Sequence, residues 1–160
     1  MMNKLLDKDL IFLNMEATSS TEIFKNLGTV MIQKGYANDN YIEGLINREA
    51  NFPTGIPAEP VAVAIPHTDA SFVKESKIGL MTLLNPVNFT IMGSDSEIGV
   101  QVVILLGLAD SQHHLKALQT VISLIQEPSF IKQLLSISTQ EVALELLNQE
   151  LNLTIEEEVK

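Results

Sequence analysis

A short apolar run that ends in a Pro-His pair constrains this chain more than any other stretch. Residues 61–65 (VAVAI) are uniformly apolar and are followed by Pro66 and His67. Such a run, with prolines on both sides, is typical of a short strand buried on both faces of a sheet. Because proline has no N–H to donate to a neighbouring strand, we expect strand pairing to stop at Pro66. His67 would then lie just beyond the strand's carboxyl end, where open α/β sheets bind ligands.

The remaining segments alternate between strand and helix patterns. A capping box formed by Ser19, Ser20 and Glu22, followed by apolar residues at helical spacing, predicts a first helix. A second helix is predicted after the capping residues Asn38 and Asp39, and it should end before the loop at 51–57. Later helices are predicted over 111–126, from Pro128 to about 135, and after a capping box formed by Ser138 and Glu141. Predicted strands cover 9–15, 78–84, 87–92 and 100–108, with residues 85–86 turning the middle pair into a hairpin.

This order of elements predicts an α/β fold. We expect a three-layer single domain, with a mixed β-sheet flanked by helices on both faces, because helices separate most strands while the hairpin adds an antiparallel pair. The domain would span residues 1–150, and residues 151–160 read as an acidic C-terminal tail.

Composition narrows the function classes. The 160-residue chain has a net charge of −10, which argues against nucleic acid as a partner because phosphate backbones require basic surfaces. The chain contains no cysteine, which excludes disulfides and thiolate metal sites and fits a reducing compartment. We recognise neither a signal peptide nor an apolar segment long enough for membrane insertion, so we expect a cytoplasmic protein.

Two further residues, His114 and Arg48, could meet His67. His113 and His114 fall in the first turn of the helix predicted after strand 100–108, and helical spacing places His114, rather than His113, on the inward face with Leu118. Free N–H groups at a helix start favour an anion. Arg48 is expected at the end of the second helix, and could converge on the same sheet edge if the strands are neighbours.

Each of these residues also has an ordinary structural explanation. His67 could be an exposed loop residue, His114 could be hydrogen-bonded to a carbonyl, and Arg48 could complement a helix C-terminus. A histidine metal site is disfavoured because the adjacent histidines lie on different helix faces without a carboxylate at ligand spacing. The sequence also lacks the usual nucleotide-binding and serine-hydrolase motifs.

The segment PVAVAIPHTDA, preceded by REANFPTG, resembles the phosphorylation-site signature of fructose/mannitol-class enzyme IIA domains of the bacterial sugar phosphotransferase system. The resemblance covers most of the chain, and the segment REANFPTGI is most similar to the galactitol-specific branch. It implies a cytoplasmic phosphocarrier in which His67 accepts a phosphoryl group from the phosphohistidine of HPr and passes it to enzyme IIB, the partner of the membrane component IIC.

The resemblance also implies the remaining site residues. Arg48 is similar to the family arginine near the phosphate, Thr54 stands where a hydroxyl is found, and His114 matches a histidine of mannitol-type members. No cofactor or metal is expected, because a phosphohistidine donor is already activated and the developing charge can be met by Arg48, His114 and the helix N-terminus. A neutral imidazole at His67 can attack phosphorus without a separate base.

Two alternatives remain open at this stage. A nitrogen-type enzyme IIA module would use the same histidine to report its phosphorylation state to protein partners. A pure interaction domain would carry the histidine incidentally and would not be phosphorylated.

Overall fold

The structure is built around one five-stranded sheet with helices on both faces. The computed structural model describes residues 4–151, without the side chains of residues 111–113. The strands are β1 (Ile11–Met15), β2 (Gly55–Ile56), β3 (Ala62–Ala64), β4 (Lys77–Thr90) and β5 (Glu97–Gly107). The helices are α1 (Ser20–Gln33), α2 (Tyr41–Asn51), α3 (Ser111–Ile125), α4 (Pro128–Ser136) and α5 (Gln140–Leu151).

The sheet is mixed, as predicted. Its spatial order is β1-β4-β5-β3-β2, so β5 is the central strand. The pairs β1–β4 and β3–β5 are parallel, whereas β4–β5 and β2–β3 are antiparallel. Because β3 and β5 are parallel neighbours, the segments that follow them leave the sheet at the same edge.

Alternation along the central strand divides the core into two layers. Val102 and Ile104 pack with apolar residues of α3, α4 and α5, whereas Val103 and Leu105 pack with those of α1 and α2. This period of two is what a strand buried on both faces requires. The three-layer arrangement predicted from the sequence is therefore confirmed, and all of β3 is buried as expected.

The predicted hairpin around residues 85–86 is wrong. Residues 77–90 form one strand whose two halves both pair with β5, with Thr82 opposite Val102 and Val87 opposite Val100. The four intervening residues form a bulge, where Pro86 is exposed and its missing N–H breaks no ladder. The chain reverses instead at residues 91–96, where the Ile91 amide donates to the Ser96 carbonyl at 2.8 Å. Sequence patterns cannot separate a bulge from a turn when both halves are apolar.

The helix-start predictions had mixed outcomes. Ser19 caps α1 by accepting from the Glu22 amide, as predicted. The cap position of α2 is Asn40, which makes no side-chain cap bond, and not Asn38 or Asp39 as predicted. The side-chain amide of Asn38 donates to the Ser71 carbonyl. At α5 the Thr139 hydroxyl accepts from the Val142 amide, a contact that the predicted Ser138–Glu141 box did not include.

Both ends of the chain lie partly outside the described residues. α5 extends to Leu151, one residue into the predicted acidic tail, and residues 152–160 are not described. Within residues 4–151, none of the helices combines the length and apolar character needed to span a bilayer.

Candidate active site

His67 lies at the carboxyl end of β3, and strand pairing continues further than the sequence predicted. Proline cannot donate, but the Pro66 carbonyl accepts from the Leu106 amide at 3.0 Å. His67 consequently stands opposite Leu106 in a final parallel bridge to the central strand. The expectation that pairing stops at Pro66 is wrong, because only the donor half of that residue is missing. The histidine backbone is fixed to the sheet.

The ring of His67 is held by its own strand. Nδ1 lies 2.9 Å from the carbonyl oxygen of Ile65. A carbonyl oxygen can only accept, so Nδ1 must carry the proton, and a neutral ring then has its lone pair on Nε2. This contact selects the ring nitrogen that is available as a nucleophile.

His114 reaches His67 from the neighbouring strand's helix. The His114 amide donates to the Asp110 carbonyl at 3.0 Å, closing the first turn of α3. The two imidazole centroids are 4.9 Å apart, with the ring planes at 72°. The buried apolar residues of α3 are Ala117, Val121 and Ile125, while Leu118, which we expected on the inward face, is partly buried against the same core.

Arg48 completes the group from the last turn of α2, as predicted from the loop that follows it. Its guanidinium carbon lies 4.2 Å from the centroid of the Phe52 ring, a cation–π contact. Phe52 is 58% exposed, so Arg48 is supported by an aromatic face at the surface and not by a buried ion pair.

One cleft brings these side chains together. Its volume is about 210 Å³, and it is lined by Arg48, His67, Thr68, Asp69, Ala70 and His114. A larger cleft of about 490 Å³ near Asn51, Thr90 and Asp95 contains neither histidine nor arginine, so we place the candidate site at the smaller one.

Asp69 is a site residue that the sequence reasoning missed. Its side chain accepts from the Ser71 amide at 3.1 Å and caps the short turn Ala70–Phe72. Hydrogen bonds from Ser71 lower the pKa of Asp69, and the charges of Arg48 and His114 add to this effect. The signal in the sequence was the Asp-x-Ser pattern directly after His67, which is typical of an aspartate-capped turn.

The pKa values of both histidines are lowered below the ordinary value of 6.5. For His67 the main cause is burial, the bond to Ile65 opposes it, and the positive charge of Arg48 adds to the lowering. For His114 burial comes first, followed by the charges of His67 and Arg48, while Asp69 raises the pKa. Both rings are therefore largely neutral at pH 7.

Thr54, the fourth predicted site residue, is buried, with 1% exposed, and does not line the cleft. Its hydroxyl donates to Glu49 Oε1 at 2.7 Å, and its amide donates to Glu49 Oε2 at 2.8 Å. Glu49, the second residue of the Arg-Glu pair, was given no role by the sequence reasoning.

The described residues offer no obvious metal centre. Within that part of the chain, no three histidine, aspartate or glutamate side chains are grouped as metal ligands. The cleft is lined by two side chains that can donate to an anion, Arg48 and His114, together with the free ring nitrogen of His67 and the carboxylate of Asp69.

Comparison with known proteins decides the family. Residues 4–150 match the family described as "Phosphoenolpyruvate-dependent sugar phosphotransferase system, EIIA 2". The chain belongs to this family. Enzyme IIA components are phosphotransferase carriers, so the enzyme class and the fold expected from the sequence resemblance are both confirmed.

Sugar-specific enzyme IIA components are among the sequence relatives. The chain is 36% identical over 117 residues to the galactitol-specific EIIA component of Escherichia coli (strain K12), covering 73% of this chain and 78% of that one. It is 30% identical over 149 residues to the mannitol-specific enzyme IIA component of Geobacillus stearothermophilus, covering 91% and 96% respectively.

Solved structures show the same fold. The mannitol enzyme IIA of Escherichia coli superposes with a TM-score of 0.72 at 21% identity, covering 89% of this chain and 98% of that one. The nitrogen regulatory protein IIA of Neisseria meningitidis gives a TM-score of 0.72 at 24% identity, over 89% and 96%. At these identities the likeness shows the enzyme IIA fold alone and does not separate transport from regulation.

Proposed function

We propose that His67 is the phosphoryl acceptor of this enzyme IIA, and that Nε2 is the atom that carries the phosphoryl group. The observation that carries the proposal is the 2.9 Å contact between His67 Nδ1 and the Ile65 carbonyl. With Nδ1 protonated and bonded, Nε2 holds the only free lone pair of the ring. An uncharged, oriented imidazole needs no separate base to attack phosphorus.

The transfer is a substitution at phosphorus without a redox change. Nε2 of His67 forms a bond to phosphorus while the nitrogen–phosphorus bond of the donor phosphohistidine breaks, and the donor ring recovers its electron pair. Arg48, His114 and the N-terminus of α3 stabilise the charge on the three phosphoryl oxygens. The negative charge of Asp69 weakens anion binding in the cleft, which suits a phosphoryl group that must leave again.

HPr is the proposed donor and enzyme IIB the proposed acceptor, through a cysteine thiolate that attacks the phosphorus of phospho-His67. A solved complex of mannitol enzyme IIA with phosphorylated enzyme IIB from Escherichia coli supports the second partner by analogy of fold. The carrier would act in the cytoplasm and supply the membrane component IIC through enzyme IIB. The 36% identity to a galactitol-specific component favours galactitol as the sugar.

A radiolabel experiment tests the site. The protein is mixed with labelled phosphoenolpyruvate, enzyme I and HPr, and we expect one acid-labile, base-stable phosphoryl group per chain in the wild type and none in His67→Ala. Label retained by folded His67→Ala would overturn the assignment of His67.

The regulatory alternative is tested by the next transfer. Galactitol-type and mannitol-type enzyme IIB are offered separately to the phosphorylated protein. We expect rapid loss of label to the galactitol-type partner. Label that passes to neither enzyme IIB would favour a nitrogen-type regulatory module.

A further inference from the structure

Glu49 is a partly buried carboxylate beside the site that touches neither histidine in any described contact. It follows Arg48 in the last turn of α2, and both of its oxygens accept hydrogen bonds from Thr54. Burial raises the pKa of Glu49, while the two bonds from Thr54 oppose that rise. Both oxygens of Glu49 therefore have a donor in Thr54, which favours the ionised form of the carboxylate. Because burying a carboxylate costs free energy, we expect a partly buried Glu49 to have a structural or functional role.

Thr54 connects Glu49 to the strand that carries His67. The Thr54 carbonyl accepts from the Ile65 amide at 3.2 Å, immediately before β2 pairs with β3. The Ile65 carbonyl, on the other side of that residue, accepts from His67 Nδ1 at 2.9 Å. Three successive contacts therefore lead from the Glu49 carboxylate to the ring of His67.

The Ile65 amide is held by this connection, whereas the following Pro66 carbonyl is held by the Leu106 amide of β5. Ile65 lies past the end of β3, which pairs with β2 only through Val63 and Ala64. The Thr54 carbonyl is thus the β2-side partner that fixes the Ile65 amide. A rotation of this segment would carry the Ile65 carbonyl away from Nδ1, and neutral histidine would then distribute between its two tautomers.

We propose that Glu49 is a positioning residue for His67: by holding Thr54, it fixes the Ile65 carbonyl and so keeps the His67 proton on Nδ1. The carboxylate of Glu49 offers two acceptor oxygens, one for the Thr54 hydroxyl and one for the Thr54 amide. Glutamine, with one acceptor oxygen and an NH₂ group, can satisfy one of the two donors. The change Glu49→Gln should therefore loosen the connection while preserving side-chain volume.

The direct test measures the tautomer of His67. Long-range ¹H–¹⁵N correlation spectra of the full chain at pH 8 distinguish protonated from unprotonated ring nitrogens, and spectra of His113→Ala and His114→Ala assign the three histidines. We expect a single Nδ1–H tautomer at His67 in the wild type and a mixture of tautomers in Glu49→Gln. A pure Nδ1–H tautomer in folded Glu49→Gln would overturn the proposal.

Matched variants separate positioning from stability. Glu43→Gln makes the same change on the exposed first turn of α2 and should keep the pure tautomer. Thr54→Ser keeps the hydroxyl and should also keep it, whereas Thr54→Val should give the mixture. If Thr54→Val unfolds, the Ser variant and Glu49→Gln still decide the question. A mixture of His67 tautomers in Glu43→Gln would count against a specific connection between Glu49 and His67. So would a loss of the Nδ1–H tautomer that only follows the fraction of unfolded protein.

A second arm measures phosphorylation and rests on the proposed function. We expect Glu49→Gln to be phosphorylated by phospho-HPr about tenfold more slowly than Glu43→Gln, because a misplaced nucleophile loses near-attack geometry. If neither the wild type nor any variant is phosphorylated at His67, the proposed function is wrong. The tautomer measurement still tests the role of Glu49, because it does not depend on phosphorylation. If Glu49→Gln shows mixed tautomers but an unchanged phosphorylation rate, Glu49 orients the His67 ring without affecting phosphoryl transfer. That result would overturn its role in transfer.

Discussion

The imidazole rings of His67 and His114 meet edge to face, with centroids 4.9 Å apart. At this distance a proton on one ring disfavours a proton on the other, and the charge of His67 is one of the causes that lower the pKa of His114. The pair therefore enters the proposed transfer with at most one positive charge. A neutral His114 still carries one ring N–H, which can donate a hydrogen bond to a phosphoryl oxygen.

Replacing His114 should slow phosphorylation without abolishing it. We expect His114→Ala to reduce the rate of transfer from phospho-HPr by roughly ten- to a hundredfold, because a preorganised donor to the phosphoryl oxygens is removed while His67 remains. The rate is measured by rapid-quench labelling. His113→Ala is the matched control and should transfer at the wild-type rate. Equal losses in the two variants would contradict a specific role for His114.

The acceptor rate should fall on the acid side of neutrality. Because the pKa of His67 is below 6.5, the rate should be constant above that pH and should fall as the pH drops through the lowered value, where protonation of Nε2 removes the nucleophile. The same shift destabilises the fold in acid: between the folded pKa and 6.5 the unfolded chain binds more protons. A rate that rises as the pH falls would contradict this assignment.

Two substitutions should move the histidine pKa values in opposite directions. Arg48→Gln removes a positive charge that lowers both values, so the pKa of His67 and that of His114 should rise. Asp69→Asn removes the charge that raises the pKa of His114, which should therefore fall further. Titration of the ring Cε1–H signals by NMR measures both effects. Shifts of the same sign in the two variants would show that these charges do not act on the histidines as described.

The two tyrosines should respond oppositely to loss of the hydroxyl. The Tyr41 hydroxyl is fully buried and has no hydrogen-bond partner among the described residues, so Tyr41→Phe should leave stability unchanged or raise it by about 1 kcal/mol. The Tyr36 hydroxyl donates to Asp7 at 2.5 Å, so Tyr36→Phe should lower stability by about 1–2 kcal/mol. Urea unfolding of both variants measures the difference. Destabilisation by Tyr41→Phe would indicate a partner for that hydroxyl.

Asp7 should contribute to the acid sensitivity of the fold. Burial alone would raise the pKa of Asp7, but hydrogen bonds from Lys34, Tyr36 and the Asp9 amide outweigh it and lower the pKa from 3.8 to about 2. The stabilisation is present above pH 3.8 and is lost as the pH falls through about 2. Asp7→Asn should therefore lower the free energy of unfolding at pH 7 by roughly 1–2 kcal/mol, allowing for solvent screening, with little difference near pH 2.

Acid-induced unfolding, followed by circular dichroism, measures this contribution. The exposed residue Asp39 provides the control, since Asp39→Asn should leave the acid limb of the stability curve unchanged. A difference between Asp7→Asn and wild type that persists at full size near pH 2 would assign the effect to packing and not to ionisation.

The sequence by itself determined the elements that carry the candidate site. An apolar run too short for a helix, ended by a proline, predicted a buried strand with His67 at its carboxyl end. The helix-breaking loop at 51–57 predicted the end of α2 near Arg48, and capping residues predicted the start of α3 near His114. These signals are local: they depend on backbone chemistry and on periodicity within one element. The family resemblance came from the same stretch.

Tertiary structure decided which elements are neighbours and what each side chain meets. His67 lies beside the start of α3 because β3 and β5 are neighbours in the sheet. Residues 83–86 form a bulge and not a hairpin because both halves of β4 pair with β5. Thr54 faces Glu49, and Asp69 enters the cleft, because of a loop path that no periodicity encodes. Contacts between residues distant in sequence are set by the packing of whole layers, so a pattern read along the chain cannot supply them.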